Sequence, residues 1–452
     1  MKNTSSKKYN IDMTNGPIGA KMLKFAFPLM CSSILQLLFN AADTVVVGQF
    51  AGDNSLAAVG SNGSLINVMT NLFIGLSVGT NVLIAKAVGA GDREHTRKIV
   101  HTSIVISLFG GIVLMIAGLL FARNILVLMD SPPEVIDLAS LYLKIYFLGL
   151  PAMMVYNFGS AILRAIGDTR RPLYFLSFAG VINVLFNLLF VIAFKMDVAG
   201  VALATVISQI ISAVLIMLCL FHEKSDISVS LREMKIDMDS LARILRIGIP
   251  AGLQGTLFSF SNVIIQSSIN SFGATVVAGN SAAQNLEGFV YVSMNAFHQA
   301  TLSFTSQNMG AGKTERIGKI LRSGLILVFI TGLVLGGLVA IFGSQLLHIY
   351  SPKKMVISKG AERLVVVCGT YYLCGIMDVM VGSIRGLGYS IMPMIVSLIG
   401  ACGLRIIWLK TFFKMAMFHK PFYIYATYPV SWAITILAHV VCYFVIKKKM
   451  KI

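Results

Sequence analysis

The chain predicts an all-α integral membrane protein of twelve transmembrane helices, arranged as two six-helix lobes. Three observations predict it. Of 452 residues, 56% are hydrophobic and 12% charged, about half the charged fraction of an average soluble domain. Apolar stretches long enough to cross a bilayer, roughly 20 residues each, recur along the whole length. A set of marks also occurs twice. Pro28, Gly89-Ala90-Gly91, Arg164-Ala165-Ile166-Gly167 and Pro172 are followed by Pro250, Gly310-Ala311-Gly312, Arg385-Gly386-Leu387-Gly388 and Pro393, each displaced by about 221–222 residues. Such repetition marks membrane folds built from duplicated bundles, with a cleft between them.

In chain order, the first six spans lie near 25–50, 58–85, 99–121, 138–158, 173–194 and 199–221. The second six lie near 243–270, 277–305, 319–343, 361–383, 392–412 and 424–446. The one substantial polar break, His222–Ser240, falls at the duplication boundary. It divides an N-terminal lobe over 1–222 from a linker over 223–242 and a C-terminal lobe over 243–452. Within the linker, Val229, Leu231, Met234 and Ile236 are spaced to lie on a membrane surface as a short amphipathic piece. The other loops are short turns: Asp130-Ser131-Pro132-Pro133, Asp168-Thr169-Arg170-Arg171-Pro172 and Ser351-Pro352.

Orientation follows from Lys and Arg. The N-terminal tail (Lys2, Lys7, Lys8, Lys21, Lys24), the segment after span two (Lys86, Arg93, Arg97, Lys98), the linker and the Lys-rich C-terminus are basic. About 26 of the 37 basic residues fall on that side, so both termini are expected in the cytoplasm of a bacterial cell. An even number of spans per half gives both halves one orientation, related by a pseudo-two-fold axis along the membrane normal. The formal charge of +18 is therefore a topology signal, and nucleic acid is not expected as a partner. The polar segment Met1–Gly19 lacks the apolar core of a cleaved signal peptide. The six cysteines form no CxxC or Cys/His cluster, so neither a disulfide frame nor a metal centre is indicated.

A charge in hydrocarbon costs at least ~2.5 kcal/mol, so each one needs a reason. Asp43 lies in Leu37-Leu38-Phe39-Asn40-Ala41-Ala42-Asp43-Thr44-Val45-Val46-Val47, about seven residues from the outer end of span one, or ~10 Å below the surface at helical rise. Such a group can alternate between holding a proton and holding a cation; the bland alternative is a helix end wet by water. Asn183 and Asn187 share one face of span five, Asn187 at about the depth of Asp43, and Thr205 of span six reaches a similar level. One carboxylate, two amide oxygens and a hydroxyl form a hard-oxygen set suited to Na⁺, or to water around a titrating acid. The two asparagines are equally interpretable as helix-packing amides.

The second half does not copy these groups: Asp43 aligns near Ile265, while Asn40 aligns with Asn262. Glu287 and Arg405 fall at comparable depth, either as a buried ion pair or as proton or substrate contacts. Asp378 has no evident partner. Pro28 and Pro250 should bend their helices or leave carbonyls free. The glycine marks fit tight helix ends rather than phosphate loops, since no GxxxxGK[ST] is present. Tyr291, Phe297, Tyr371 and Tyr372 are expected to line the cleft along with Asn40, with flat walls suited to amphipathic organic cations.

Taken together, the marks resemble the multidrug and toxic compound extrusion (MATE) family over essentially the whole chain. The residues that carry the resemblance are Pro28 fifteen positions before Asp43, Gly89-Ala90-Gly91-Asp92, Arg164-Ala165-Ile166-Gly167-Asp168-Thr169, Asn183-Val-Leu-Phe-Asn187 and Gly200-Val-Ala-Leu-Ala-Thr205. The resemblance implies the MATE fold, alternating access, and export of organic cations, drugs or metabolites in exchange for inward H⁺ or Na⁺. In DinF-like relatives the Asp of span one acts with an Asn-x-x-x-Asp on span five and a Thr on span six. This chain has Asn187 where that pattern has an acid, and Asp378 and Glu287 are the acids placed to compensate. No cofactor beyond the coupling ion is implied; the partners are a small organic substrate and membrane lipid, with the protein a monomer.

Two other functions compete. A flippase for lipid-linked oligosaccharides would line its cleft with several Arg or Lys to hold a diphosphate, and Arg405 is the one deeply placed basic residue expected. An integral-membrane enzyme would need a catalytic pair at membrane depth, and the seven His residues are scattered.

Overall fold

A computed structural model describes residues 9–129 and 133–450, and within them every regular element is helical. The turn expected at Asp130-Ser131-Pro132, together with Lys2, Lys7, Lys8 and Lys451, lies outside the described residues. The helices are α1 (Ile18–Phe50), α2 (Asp53–Ala90), α3 (Arg93–Leu128), α4 (Pro133–Leu148), α5 (Leu150–Ala165), α6 (Arg170–Leu188), α7 (Asp197–Phe221) and α8 (Met238–Asn270). They continue as α9 (Ala274–Gly310), α10 (Glu315–Ile341), α11 (Gly343–Leu347), α12 (Lys354–Val367), α13 (Tyr371–Gly386), α14 (Ile391–Ser397), α15 (Leu404–Lys410) and α16 (Pro421–Lys449). Short π-helical turns extend α6 (Leu189–Ala193) and join α14 to α15 (Leu398–Gly403).

Among the described residues nine helical stretches are long and apolar enough to cross a membrane, ten when α4 and α5, bent by 46° at Gly149, count as one span. The remaining expected spans correspond to α8 and α9, which run for 33 and 37 residues. They are long enough but more polar. The reason is packing: α9 is buried around much of its girth, so Asn280, Glu287, His298 and Asn308 meet protein rather than lipid.

The described chain divides into two compact units. One holds Cys31–Gly248 with the N-terminal tail up to Asp12; the other holds Met13–Met30 and the chain from Ile249 onward. Membership thus changes within α1 and α8, two residues beyond Pro28 and just before Pro250. Each proline removes one backbone donor from its helix, which is where a long helix is most easily re-aimed.

In the first unit, one apolar cluster gathers Val47, Phe73, Leu126, Leu143, Phe147 and Phe158, and a second gathers Ile84, Ile99, Ile162, Leu163, Ile216 and Ile244. The linker joins the second cluster. Val229 is buried there, the Ser230 amide donates to His101 Nε2 at 3.0 Å and the Asp237 amide to Thr102 Oγ1 at 3.0 Å. Met234 packs on the same cluster while Leu231 and Ile236 stay exposed, so two of the four residues expected on a membrane surface pack into the unit and two stay on its surface.

The backbone repeats what the sequence repeats. Gly91 and Gly312, and Gly167 and Gly388, take left-handed φ of 71°, 70°, 88° and 98°. At each, the glycine amide donates three residues back and the next amide five residues back, as in Asp92 to Ala87 and Lys313 to Asn308. These are helix-ending turns that side-chain-bearing residues adopt only under strain.

Candidate functional site

The first unit encloses a cavity of about 470 Å³ whose wall includes Asp43, Asn40, Asn183 and Thr205. Its construction begins at Gly180 on α6. A Cβ there would overlap the ring of Phe39, so in this arrangement the ring of α1 rests on α6 at a glycine. One helical turn beyond Phe39 stands Asp43, and two turns beyond Gly180 stands Asn187. Between the same two helices the carboxylate meets the amide: Asn187 Nδ2 donates to Asp43 Oδ1.

The contact extends into a network. Asn187 Nδ2 also donates to Asn183 Oδ1 at 3.3 Å, and Asn183 Nδ2 donates to Thr205 Oγ1 at 3.4 Å. Thr205 Oγ1 in turn donates to the Val201 carbonyl one turn back on α7, at 2.9 Å. All four residues expected to form one site are thus joined, from three helices. Asn187 is wholly buried, and its Oδ1 has no hydrogen-bond partner. A buried carbonyl oxygen left without a donor is costly, and such an oxygen beside a carboxylate is a ready ligand for a cation. The π turn at Leu189–Ala193 begins two residues on, an irregularity often found at functional sites.

The set is one carboxylate with neutral amide and hydroxyl oxygens. Its single negative charge matches a monovalent hard cation or a proton, not a divalent or soft metal. Among the described residues no cluster of three His, Cys, Asp or Glu could hold a metal ion.

The rest of the cavity wall was not foreseen. Tyr142 and Tyr146, four apart on α4, stack with ring centroids 6.2 Å apart, and Phe39, Tyr156, Gln36 and Gln209 complete a surface of flat rings and amides. The signal was available: Tyr142 and Tyr146 share a helix face, and Asn67, Thr70 and Asn157 are polar groups within apolar spans.

In the second unit the expected pairing is corrected. Glu287 pairs with Arg363, not Arg405: Arg363 Nε donates to Glu287 Oε1 at 2.6 Å and Nη2 to Oε2 at 2.8 Å. Arg363 Nη1 donates to Asn280 Oδ1 at 2.8 Å, and its guanidinium lies 5.5 Å and 5.3 Å from the rings of Tyr425 and Tyr428. The error was one of depth. Arg363 starts its run near Lys359 and Glu362 and reads as a helix end, yet it is 2% exposed. Arg405 is accordingly not the one deeply placed basic residue. It is held by Ser431, to which its Nε donates at 2.8 Å, and by the Tyr428 ring at 4.1 Å.

Asp378 is half-buried on α13, without a salt-bridge partner among the described residues; Arg385 and Tyr291 lie within its electrostatic reach. Of the aromatic residues expected to line a cleft, Tyr291 is 38% exposed and Tyr372 partly so, edge-on to Phe329 at 5.2 Å. Phe297 is 1% exposed and Tyr371 packs on Trp432 at 5.4 Å, so these two belong to the unit's interior. The reason is the close approach of α13 to α9, where a Cβ at Gly382 would stand 2.7 Å from the His298 carbonyl.

Comparison with known proteins places this geometry. The chain is 28% identical over 438 residues to the probable multidrug resistance protein YoeA of Bacillus subtilis, covering 95% of this chain and 94% of that protein. It is 29% identical over 394 residues to the probable multidrug resistance protein YpnP of the same organism, covering 87% and 88%. Its fold matches an outward-facing multidrug resistance MATE family transporter of the MOP superfamily, with a TM-score of 0.91 at 22% identity over the full length of both chains. The MatE family profile matches residues 28–189 and 250–409, one repeat in each half and most of the chain, and the protein belongs to the MatE family of membrane transporters.

Proposed function

We propose that the protein is a secondary active antiporter that exports small organic cations, drugs or metabolites in exchange for inward Na⁺ or H⁺. The observation that carries this reading is the joined network of Asp43, Asn187, Asn183 and Thr205, in which Asp43, Asn183 and Thr205 line an aromatic, amide-rich cavity and Asn187 is buried behind them. The cavity is large enough for a drug-sized molecule. Its tyrosine faces suit a cationic guest, and Asp43 supplies the one negative charge among the described wall residues.

Coupling follows from competition for that charge. In one state the Asp43 carboxylate is available to attract an organic cation into the cavity. An inward coupling ion then takes the carboxylate, with the amide oxygens of Asn183 and Asn187 and the Thr205 hydroxyl as its further ligands. The organic cation loses its counter-charge, its affinity falls, and it leaves to the outside. Asp378 is the acid in the second unit open to a similar role. The basic termini and linker favour a cell-membrane orientation with both ends in the cytoplasm.

The test is accumulation of a fluorescent organic cation in inside-out vesicles, or its transport in reconstituted liposomes, under separately imposed Na⁺ and pH gradients. Wild-type protein should transport under at least one gradient. Asp43→Asn should reach the membrane in equal amount and fail under both; undiminished transport by that variant removes the assignment.

A further inference from the structure

In the second unit, Arg405 and the residues around it form a groove with no part in the coupling network. It measures about 290 Å³ and lies between α15 and α16, with Trp408, Phe412, Phe418, Tyr423 and Val430 among its walls. Arg405 is 7% exposed. One edge of its guanidinium is used, Nε donating to Ser431, and its face rests on Tyr428 at 4.1 Å and Trp432 at 5.5 Å. Its Nη2 is buried without a hydrogen-bond partner, and among the described residues no carboxylate pairs with it. A buried cation lacking a counter-charge is expensive, and proteins normally complete it with a pair. Arg363 in the same unit shows the completed form, with both terminal nitrogens and Nε bonded.

We infer that the groove binds a single-chain amphiphile with a carboxylate head, of the fatty-acid class, and that Arg405 holds the head. With Nε and one ring face occupied, the terminal Nη1–Nη2 edge remains, and this edge matches a planar carboxylate bidentately. One positive charge meets one negative charge. The walls beyond Arg405 are apolar and aromatic, and Ile407, Phe412, Val430 and Ile434 leave the groove open along its length, so a chain runs from the head over exposed apolar surface.

The chain carries two tryptophans, Trp408 in the groove wall and Trp432 against Arg405, so intrinsic fluorescence reports on this site alone. The full-length protein, in nanodiscs of saturated phosphatidylcholine, would be titrated with dibromostearate, whose bromines quench tryptophan. Its methyl ester and a brominated phosphatidylglycerol serve as competing probes. Saturable quenching by the acid is expected, at concentrations at least roughly tenfold below those the ester needs. Arg405→Gln should raise the acid's half-saturation by a similar factor and Arg405→Lys by less, since Lys keeps the charge without the bidentate edge. Equal quenching by acid and ester, or an unchanged response in a folded Arg405→Gln variant, overturns the inference. Preferential saturable quenching by the phosphatidylglycerol also overturns it, assigning the groove to phospholipid. The acid–ester comparison on wild-type protein decides the matter even where a variant does not fold.

Discussion

Gly91 and Gly312, or Gly167 and Gly388, do the same thing in the two units; Asp43 and its counterpart Ile265 do not. The four glycines close helices through the same left-handed turn and the same pair of backbone hydrogen bonds. At the same displacement inside the helices, Asn183 and Asn187 of the first unit fall on Leu404 and Trp408 of the second. Polar groups in the second unit sit elsewhere and in another condition. Arg363 and Glu287 satisfy each other completely, with Asn280 and two tyrosine rings in support. The first unit's network ends in an unsatisfied carbonyl oxygen and a carboxylate in a cavity wall. A duplicated backbone can therefore hold a closed ion pair in one copy and an open site in the other. The closed pair is satisfied within the protein, and the open one is where the proposed exchange is assigned.

Breaking the closed pair should have the largest effect. Glu287→Ala leaves the Arg363 guanidinium buried and unpaired, at a cost of about 3–5 kcal/mol, read as a lowered thermal midpoint of detergent-purified protein. Replacing both partners, as in Glu287→Leu with Arg363→Met, should recover most of that loss. If the single and double variants melt alike, the pair is not the closed structural element described.

Next in size, Asp43→Asn should lower gradient-driven export by at least about 100-fold, roughly 2.7 kcal/mol, with the thermal midpoint nearly unchanged. A variant that transports normally but unfolds early would reverse the roles assigned to the two units. Gly180→Leu tests how the open site is assembled. Its side chain would displace the Phe39 ring, costing about 1–3 kcal/mol as overpacking, and should weaken coupling-ion dependence while Arg363 and Glu287 stay paired. Smallest is Thr205→Ala. The hydrogen bond it loses is long, at 3.4 Å, and intramembrane hydrogen bonds average about 0.6 kcal/mol. The ion concentration for half-maximal export should rise about threefold.

Much of this was legible before any coordinates. Hydropathy and the repeated Pro and Gly marks announce an all-helical membrane protein with a duplicated plan, because bilayer thickness and left-handed turns impose constraints that a single sequence displays. The open site was legible for the same kind of reason: Asp43 is an acid in an apolar run, and Asn183 and Asn187 share a face at its depth. What escaped was partner choice. Arg363 lies in a run with Lys359 and Glu362 and looks solvated, so depth alone points Glu287 to Arg405. Burial of Phe297 escaped as well, since it depends on how closely α9 and α13 pack at Gly382, a tertiary fact with no local signature. Of the cavity's tyrosines, Tyr142 and Tyr146 sit on α4 and Tyr156 on α5, and which face of each helix meets the cavity is set by helix packing rather than by period.

The central claim is that the coupling ion and the organic substrate compete for one carboxylate in the first unit. Proton release from, or labelled Na⁺ displacement from, detergent-purified protein on adding an organic cation measures that competition without any gradient. Wild-type and Glu287→Leu/Arg363→Met proteins should both release ion in proportion to cation bound, and Asp43→Asn should release none. Release that persists in Asp43→Asn and vanishes only when Asp378 is replaced would contradict the account and move the exchange to the second unit.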